Sequence, residues 1–396
     1  MTEILLTIFF ISVLLFFLGS GIWVALSMIG VSAIGMMLFT SRPVGDAMAT
    51  TIWGTSSSWT LTALPLFVWM GEILFRTKLS ENLFKGLSPW MQKLPGGLIH
   101  VNVVGCALFA AISGSSAATV ATVGKMSIPE LRKRNYPEKI LLGSLAGSGT
   151  LGLLIPPSII LIIYGVAVQE SIAKLFIAGI IPGIMIALIF MSYVIIWSLI
   201  NKKSMPKMIE EYSFFEKIKR SKQLLPVIIL ILAVIGSIYT GIATATEAAS
   251  LGVVGALILS YFQKSLTLKT FKSSLLGATK TSCMIAFILA GSTFLSLAMG
   301  FTGLPRNLAL WIQNMELSPY VLIFVLMIFY IILGMFLDGI SAVVLTMAII
   351  EPMIRQAGFD MIWFGIFLVI VVEMAQITPP VGFNLFVLQG MAKKDM

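Results

Sequence analysis

An all-α polytopic membrane protein is the fold class this sequence predicts, built from two inverted repeats that each hold a re-entrant hairpin and a helix broken at a Pro-Pro pair. Three observations carry it: composition, the placement of the basic residues, and features that recur at one fixed offset. The chain has 396 residues, of which 58% are hydrophobic and 11% charged, with a mean hydropathy of +1.02. Soluble domains carry about 25% charged residues, so a soluble enzyme, a disordered chain and a disulfide-stapled module are all excluded. The two cysteines, Cys106 and Cys283, lie in apolar stretches and form no CxxC pair, so neither a disulfide framework nor a cysteine metal site follows.

The elements follow in order. Met1-Thr2-Glu3 runs straight into apolar residues without a basic n-region or a cleavage site, which predicts a retained first span rather than a signal peptide. Apolar runs long enough to cross a bilayer, about 20 residues, fall near 4–19, 21–40, 59–75, 172–200, 224–239, 244–263, 275–300 and 319–337. Four further segments, 97–127, 137–168, 337–354 and 361–391, are apolar but interrupted. Leu79–Leu94 and Leu304–Met315 are amphipathic and too polar to span; with Trp90 and Trp311 as anchors they fit interfacial helices. Ordinary loops are the alternative there.

Net charge is +9, and its distribution decides its meaning. Of 26 Lys and Arg, 21 fall at 76–93, 125–139, 202–222, 264–272 and 393–394. With the N-terminus outside, and with 97–127 and 319–354 as hairpins that enter and leave on one side, every one of these clusters is cytoplasmic. Arg42, Arg306 and Arg355 are then external. Positive-inside bias explains the charge, and nucleic acid drops out as a partner.

Pro129 and Pro352 lie 223 residues apart, as do Pro156-Pro157 and Pro379-Pro380, Gly54 and Gly277, and Leu94 and Leu317. Under this topology that offset holds an odd number of spans, so the halves are inverted, a plan shared by many secondary transporters. The predicted layout is scaffold helices at 1–75, a first repeat at 76–170, scaffold helices with a cytoplasmic loop at 171–272, and a second repeat at 273–396. Each repeat holds an interfacial arm, a hairpin (inward in the first, outward in the second) and a broken helix. The second half stops at Met396, equivalent to Ala173. The natural protein is therefore expected to continue by at least one helix, roughly 25–30 residues.

The chemistry is sought at the breaks. The first hairpin turns at Ser113-Gly114-Ser115-Ser116-Ala117-Ala118-Thr119, with Thr122 beyond, and faces Gly147-Ser148-Gly149-Thr150-Leu151-Gly152 before Pro156-Pro157. The second turns at Asp338-Gly339-Ile340-Ser341 and faces Glu373-Met374-Ala375-Gln376-Ile377-Thr378-Pro379-Pro380, with Asn384 a turn beyond. Prolines withhold backbone donors and free carbonyls, hydroxyls and carbonyls suit hard cations, and non-helical backbone at membrane depth lines a cavity or is buried in protein. The reading is one cation site per half; close packing through small residues is the alternative. Asp338, equivalent to Ser115, is the intramembrane carboxylate assigned to the second site. Glu373 is either a cation ligand or a buried hydrogen-bonding group. Glu72, Glu170, Glu247 and Glu351 sit nearer span ends, where capping or solvated roles are expected, and His100 reads as structural. No GxxxxGK[ST], HExxH or GxSxG motif is present. The chain is not expected to be an enzyme, and its energy is expected from an ion gradient or another subunit.

At these residues the sequence resembles the large membrane subunit (M, DctM-like) of tripartite ATP-independent periplasmic (TRAP) transporters. The stretches that carry the resemblance are SGSSAAT at 113–119, IPELRKR at 128–134, GSGTLGLLIPPSIILIIYG at 147–165, TATEAAS at 244–250, LGMFLDG at 333–339 and ITPPVGFNLF at 377–386. They run through nearly the whole chain and look most like the sialic-acid members. The resemblance implies a multi-pass protein of the bacterial inner membrane with a periplasmic N-terminus and an elevator-type ion transporter fold. It also implies two or more sodium ions, a small four-helix membrane subunit (Q), a periplasmic substrate-binding protein (P) and an organic acid anion as substrate. Carried over by position, one sodium site uses Gly114, Ser115, Ser116, Gly147, Ser148, Gly149 and Thr150. The other uses Asp338, Gly339, Met374, Gln376 and Thr378, partly through carbonyls, with Glu373 beside them. Substrate is expected between the tips, near Ser116, Thr119, Ser148, Pro156 and Asn384. Two rival readings are a stand-alone divalent-anion/sodium symporter and a TRAP system for C4-dicarboxylates. A channel or a membrane enzyme would need a continuous polar pore or a catalytic constellation, neither of which the sequence displays.

Overall fold

The computed structural model describes residues 3–77, 79–206, 212–222, 224–303, 307, 318–379 and 382–392. The Leu304–Met315 arm with Trp311, Pro380, and Lys393 and Lys394 lie outside the described residues. Helices α1 to α5 are Glu3–Gly19, Val24–Phe39, Val44–Ser56, Ala63–Phe75 and Leu79–Met91, with a 3-10 turn at Trp59–Thr62. Helices α6 to α10 are Ile99–Ser113, Ser116–Lys133, Glu138–Gly149, Leu151–Leu154 and Ile159–Ala167. Then come α11 Ile172–Ile200, α12 Phe214–Ser221, α13 Leu225–Tyr239, α14 Ala245–Phe262 and α15 Leu268–Thr302. The last four are α16 Pro319–Gly334, α17 Gly339–Gln356, α18 Met361–Gln376 and α19 Phe383–Ala392. No strand is present among the described residues, as a bilayer demands of a chain that does not close a barrel.

The span expected at 59–75 differs from what forms. It is the second limb of a bent pair, Val44–Ser56 and Trp59–Phe75, inclined at 53°. Val44–Ser56 is rich in Thr, Ser and Gly, which hides it from a hydropathy reading. Its hydroxyls bond back along the helix, Thr50 to Asp46 O at 2.7 Å and Thr51 to Ala47 O at 2.7 Å, so they need no water. The break at Pro156-Pro157 is present as expected: Glu138–Leu154 and Ile159–Ala167 meet at 41°.

The repeat holds to the residue. Helix α7 starts at Ser116 and α17 at Gly339; α8 starts at Glu138 and α18 at Met361. Each pair is 223 apart. The preceding residues Ser115 and Asp338 are both N-caps, accepting from Ala118 N at 3.5 Å and from Ser341 N at 3.1 Å. The same bond three residues ahead satisfies the same orphan amide. Pro129 and Pro352 both sit inside the helices that follow.

The halves also cross antiparallel where they meet. Thr55 Oγ1 lies 2.9 Å from Thr293 Oγ1, whereas Trp69 donates to Ser274 Oγ at 3.3 Å and Arg76 to Ser273 Oγ at 2.9 Å. As number rises along α3 and α4 it falls along α15, the helix that holds their repeat equivalents. An axis lying in the membrane plane gives this arrangement. Small residues allow the close approach: a Cβ on Gly291 would sit 2.8 Å from Ala25 O, and one on Gly252 2.5 Å from Met70 Sδ.

Candidate substrate and cation site

Gly114 ends α6 in the left-handed region at φ 59°, which a residue without Cβ adopts freely. A Cβ there would meet Pro157 O at 2.8 Å, and Ile159 N donates to Gly114 O at 3.2 Å. The first tip is thus pinned to the Pro-Pro break. Gly152 closes the other side, since a Cβ on it would lie 2.6 Å from Ser115 O and 2.7 Å from Ser116 N. Within the tip, Ser113 and Thr119 hydroxyls are 2.9 Å apart, and Thr119 Oγ1 donates to Ser115 O at 2.8 Å.

At the breaks the two halves are joined by Ser116 Oγ donating to Glu373 Oε1 at 2.7 Å. Both residues are buried, and Glu373 Oε2 has no partner. The Glu373 carboxyl therefore stands in the protein interior with one oxygen satisfied across the repeat interface and one open. Asn384, fully buried on α19, leaves both its Oδ1 and Nδ2 unpartnered. Helix α19 runs beside α7, with a Cβ on Gly124 falling 3.1 Å from Met391 Cε and Arg132 donating to Ala392 O at 3.2 Å. Asn384 lies two turns before Ala392, toward the tip end of α7. Buried polar atoms without partners are rare in folded proteins; two such residues near one break mark where a ligand would bring its own hydrogen-bonding groups.

In the second half, Gly339 packs directly against the Gln376 amide, leaving no room for a side chain. Gly382, at φ 54°, brings a backbone curl to the carbonyls of Thr378 and Gln376, 3.2 and 3.3 Å from its Cβ position. Asp338 is half-buried at the tip, and Met374 is 47% exposed. Thr378 Oγ1 donates to Met374 O at 2.7 Å.

Several expected ligands also make contacts of their own. Gly147 turns toward Phe190 of α11, whose Cε1 lies 3.1 Å from its Cβ position, and Pro156 Cγ lies 3.4 Å from that of Gly179 on the same helix. Ser148 Oγ donates to Ser144 O at 2.6 Å, and Thr150 Oγ1 to Gly147 O at 2.6 Å. Ser158 Oγ takes up the Leu153 carbonyl. The Leu153 carbonyl, which Pro157 frees by lacking an amide, is thereby covered by a neighbouring hydroxyl. Among the described residues no group of three His, Cys, Asp or Glu side chains gathers at one point, so a transition-metal centre finds no donor set there.

The peripheral acids behave as span-end groups. Glu247 closes a capping box with Thr244, Glu72 pairs with Arg76, and Arg355 pairs with Glu351 at 2.9 Å and Glu170 at 3.9 Å. His100 Nε2 meets Pro95 O at 2.8 Å, a structural tie. Three features escaped sequence reasoning. Ser127, buried on α7, has an unpartnered hydroxyl. Asn102 Nδ2 donates to Ser144 Oγ at 3.0 Å, bridging α6 and α8. A cavity of about 800 Å³ opens beside Thr55, Ser58, Glu170, Thr246 and Thr293, and none of the expected site residues lines it. The TSSSWT run at 55–60, too polar for lipid, was the signal for it.

Two inverted repeats, paired hairpins and helices broken at membrane depth define a membrane transporter of the inverted-repeat class. The comparisons agree. The model of the family "Tripartite ATP-independent periplasmic transporter, DctM component" matches residues 9–396, and the chain belongs to that family, among transporters rather than enzymes. It is similar to the C4-dicarboxylate TRAP transporter large permease protein DctM of Pseudomonas aeruginosa, with 34% identity over 90% of this chain and 82% of that protein. The protein of the same name from Rhodobacter capsulatus is 32% identical over 90% and 84%. In fold it is similar to the YdaH transporter of Alcanivorax borkumensis, at a TM-score of 0.62 and 12% identity, covering 93% of this chain and 89% of that one.

Proposed function

We propose that the chain carries an organic acid anion into the cell, coupled to two or more sodium ions. It is the transport subunit of a bacterial inner-membrane TRAP system, with its N-terminus in the periplasm. A small four-helix membrane subunit and a periplasmic substrate-binding protein complete the system. The observation that carries this reading is the buried Ser116–Glu373 bond, with Glu373 Oε2 before the second break and both polar atoms of buried Asn384 after it left without partners.

The chemistry follows from that arrangement. Helices α7 and α17 both begin at the hairpin tips, and α10 and α19 begin just past the breaks. Four helix N-termini with their partial positive charge thus lie at the tips and breaks, which suits a carboxylate. Sodium takes oxygens: Gly114, Ser115, Ser116 and the 147–150 turn in one half, and Asp338, Gly339, Met374, Gln376 and Thr378 in the other, with Glu373 between. Cation charge offsets the cost of bringing an anion into low dielectric, which is the physical basis of coupling. The units 76–170 and 273–396 move as an elevator against 1–75 and 171–272, pivoting on their interfacial arms. The motif resemblance supports N-acetylneuraminate (sialic acid) as substrate. The names of the two relatives favour a second reading, C4-dicarboxylates.

The test is uptake into proteoliposomes holding the chain and its small membrane subunit, supplied with the cognate binding protein. Labelled sialic acid and labelled succinate are compared under inward sodium or potassium gradients. One acid is expected to accumulate only with sodium. Equal accumulation in potassium overturns the coupling, and the acid that accumulates decides the substrate.

A further inference from the structure

We propose that α12 is a docking surface for anionic phospholipid headgroups, through which the membrane holds the arm helix α5. The reasoning starts from the sequence Phe214-Phe215-Glu216-Lys217-Ile218-Lys219-Arg220-Ser221. At 3.6 residues per turn, Phe214, Phe215 and Ile218 fall within a single arc of about 100°, and Lys217 and Lys219 flank it on either side. All three apolar side chains are exposed; Phe215 is 83% exposed. Among the described residues the chain leaves this stripe exposed apart from the Trp90 contact at Phe214, and the segment is too short and too polar to span the bilayer.

The helix is nonetheless built to persist. Ser213 and Glu216 form a reciprocal capping box, with Ser213 N donating to Glu216 Oε2 at 2.9 Å. Arg220 lies over the Tyr212 ring at 4.2 Å. One edge is anchored on α5: Trp90 Nε1 donates to Ser221 Oγ at 2.7 Å, Phe214 meets the Trp90 ring edge-on at 6.3 Å, and Lys217 Nζ sits 5.5 Å from its centre. Gly86 of α5 packs so closely on Leu224 that a Cβ would lie 2.6 Å from its Cγ. The arm that leads into the first hairpin is thus fastened to this short helix. Trp90, expected from the sequence as an interfacial anchor, is the residue through which the arm meets this helix.

Charge selects the occupant. The connection that holds α12 carries seven Lys and Arg between Lys202 and Lys222, on the side the sequence assigns to the cytoplasm. A rigid apolar stripe edged by lysines, tethered between two spans, fits the headgroup boundary: rings enter the acyl edge and ammonium groups meet phosphates. Each basic residue near an anionic surface strengthens binding by about fivefold at low salt, and this gain is screened as ionic strength rises.

The experiment places an environment-sensitive fluorophore at position 215 of the full-length chain, through Phe215→Cys in a Cys283→Ser background; Cys106 is buried and stays silent. The labelled protein, reconstituted in mixed phosphatidylcholine and phosphatidylglycerol vesicles, is quenched by brominated chains carried on one lipid or on the other. Quenching by brominated phosphatidylglycerol is expected to exceed that by brominated phosphatidylcholine severalfold. The two should become equal in K217Q/K219Q/K222Q, and in wild-type charge at high salt. Gel filtration and far-UV circular dichroism of that variant show whether it keeps its fold. Equal quenching at low salt, a preference that survives in the folded variant, or a label shielded from both lipids by a bound protein each overturn the proposal.

Discussion

The two hairpin tips share one backbone plan and differ in chemistry. Position 115 holds Ser and its equivalent, position 338, holds Asp, yet both cap the helix that follows. In the first tip the hydroxyls close on one another and on Glu373. In the second, the cap is a half-buried carboxylate, and Met374 on the broken helix is exposed. A serine cap satisfies an amide and leaves a neutral, enclosed tip. An aspartate cap satisfies the same amide and adds a charge and a second oxygen, which a cation can use. Repetition therefore explains the shape, and the residue chosen at each equivalent position sets what the shape binds.

The largest effect is expected at Glu373, where the two halves meet. Glu373→Ala should abolish uptake, and it strands the buried Ser116 hydroxyl, a penalty of about 1–3 kcal/mol read as a lowered Tm in detergent. Glu373→Gln keeps an acceptor for Ser116 and should fold normally, while raising the sodium concentration for half-maximal uptake at least roughly tenfold, the loss of about 1.4 kcal/mol. A Gln variant with unaltered sodium dependence removes Glu373 from the cation site and leaves it a clasp.

The small-residue contacts sharpen the contrast next. Gly152 faces the Ser115 backbone, but its equivalent, Ala375, faces Gly334 of α16, with the Gly334 Cβ position 2.6 Å from Ala375 Cβ. The glycine has changed sides between the halves. Gly152→Ala should therefore displace the first tip and lower stability by about 1–3 kcal/mol as overpacking does, with most uptake lost. Ala375→Gly removes only a methyl group, so its Tm should shift far less. Comparable losses in both would show that the two tips are equally tight.

Much of this was legible because a repeat is a statement about backbone. Pro129 with Pro352, and the two Pro-Pro pairs, predict a repeat at offset 223, and the structure starts helices at that same offset, at Ser116 and Gly339 and at Glu138 and Met361. Small hydroxyl residues at the turns marked the tips. The Ser116–Glu373 bond was not legible, because a contact across 257 residues leaves no periodic trace along the chain. Hydropathy also missed Val44–Ser56, whose hydroxyls are satisfied within their own helix. Ser148 and Thr150, assigned to the first cation site through the resemblance, turn their hydroxyl protons to carbonyls of their own helix, a local bond that the sequence does not spell out.

The smallest effects test the caps themselves. Ser115→Ala removes an N-cap worth about 1 kcal/mol from a tip already held by Gly114, Gly152 and Glu373, but keeps the Ser115 backbone carbonyl as the oxygen offered to the ion, so uptake should fall only a fewfold and sodium dependence should stay unchanged. Asp338→Asn keeps the cap, since an asparagine oxygen accepts the Ser341 amide equally well, and it removes only charge. It should raise the sodium requirement severalfold while leaving Tm near that of the parent. The pair separates geometry from charge at equivalent positions: one variant loses a bond and keeps the ion, and the other keeps the bond and weakens the ion. If Ser115→Ala shifts the sodium requirement as much as Asp338→Asn does, the two tips bind cations alike and the carboxylate has no special role.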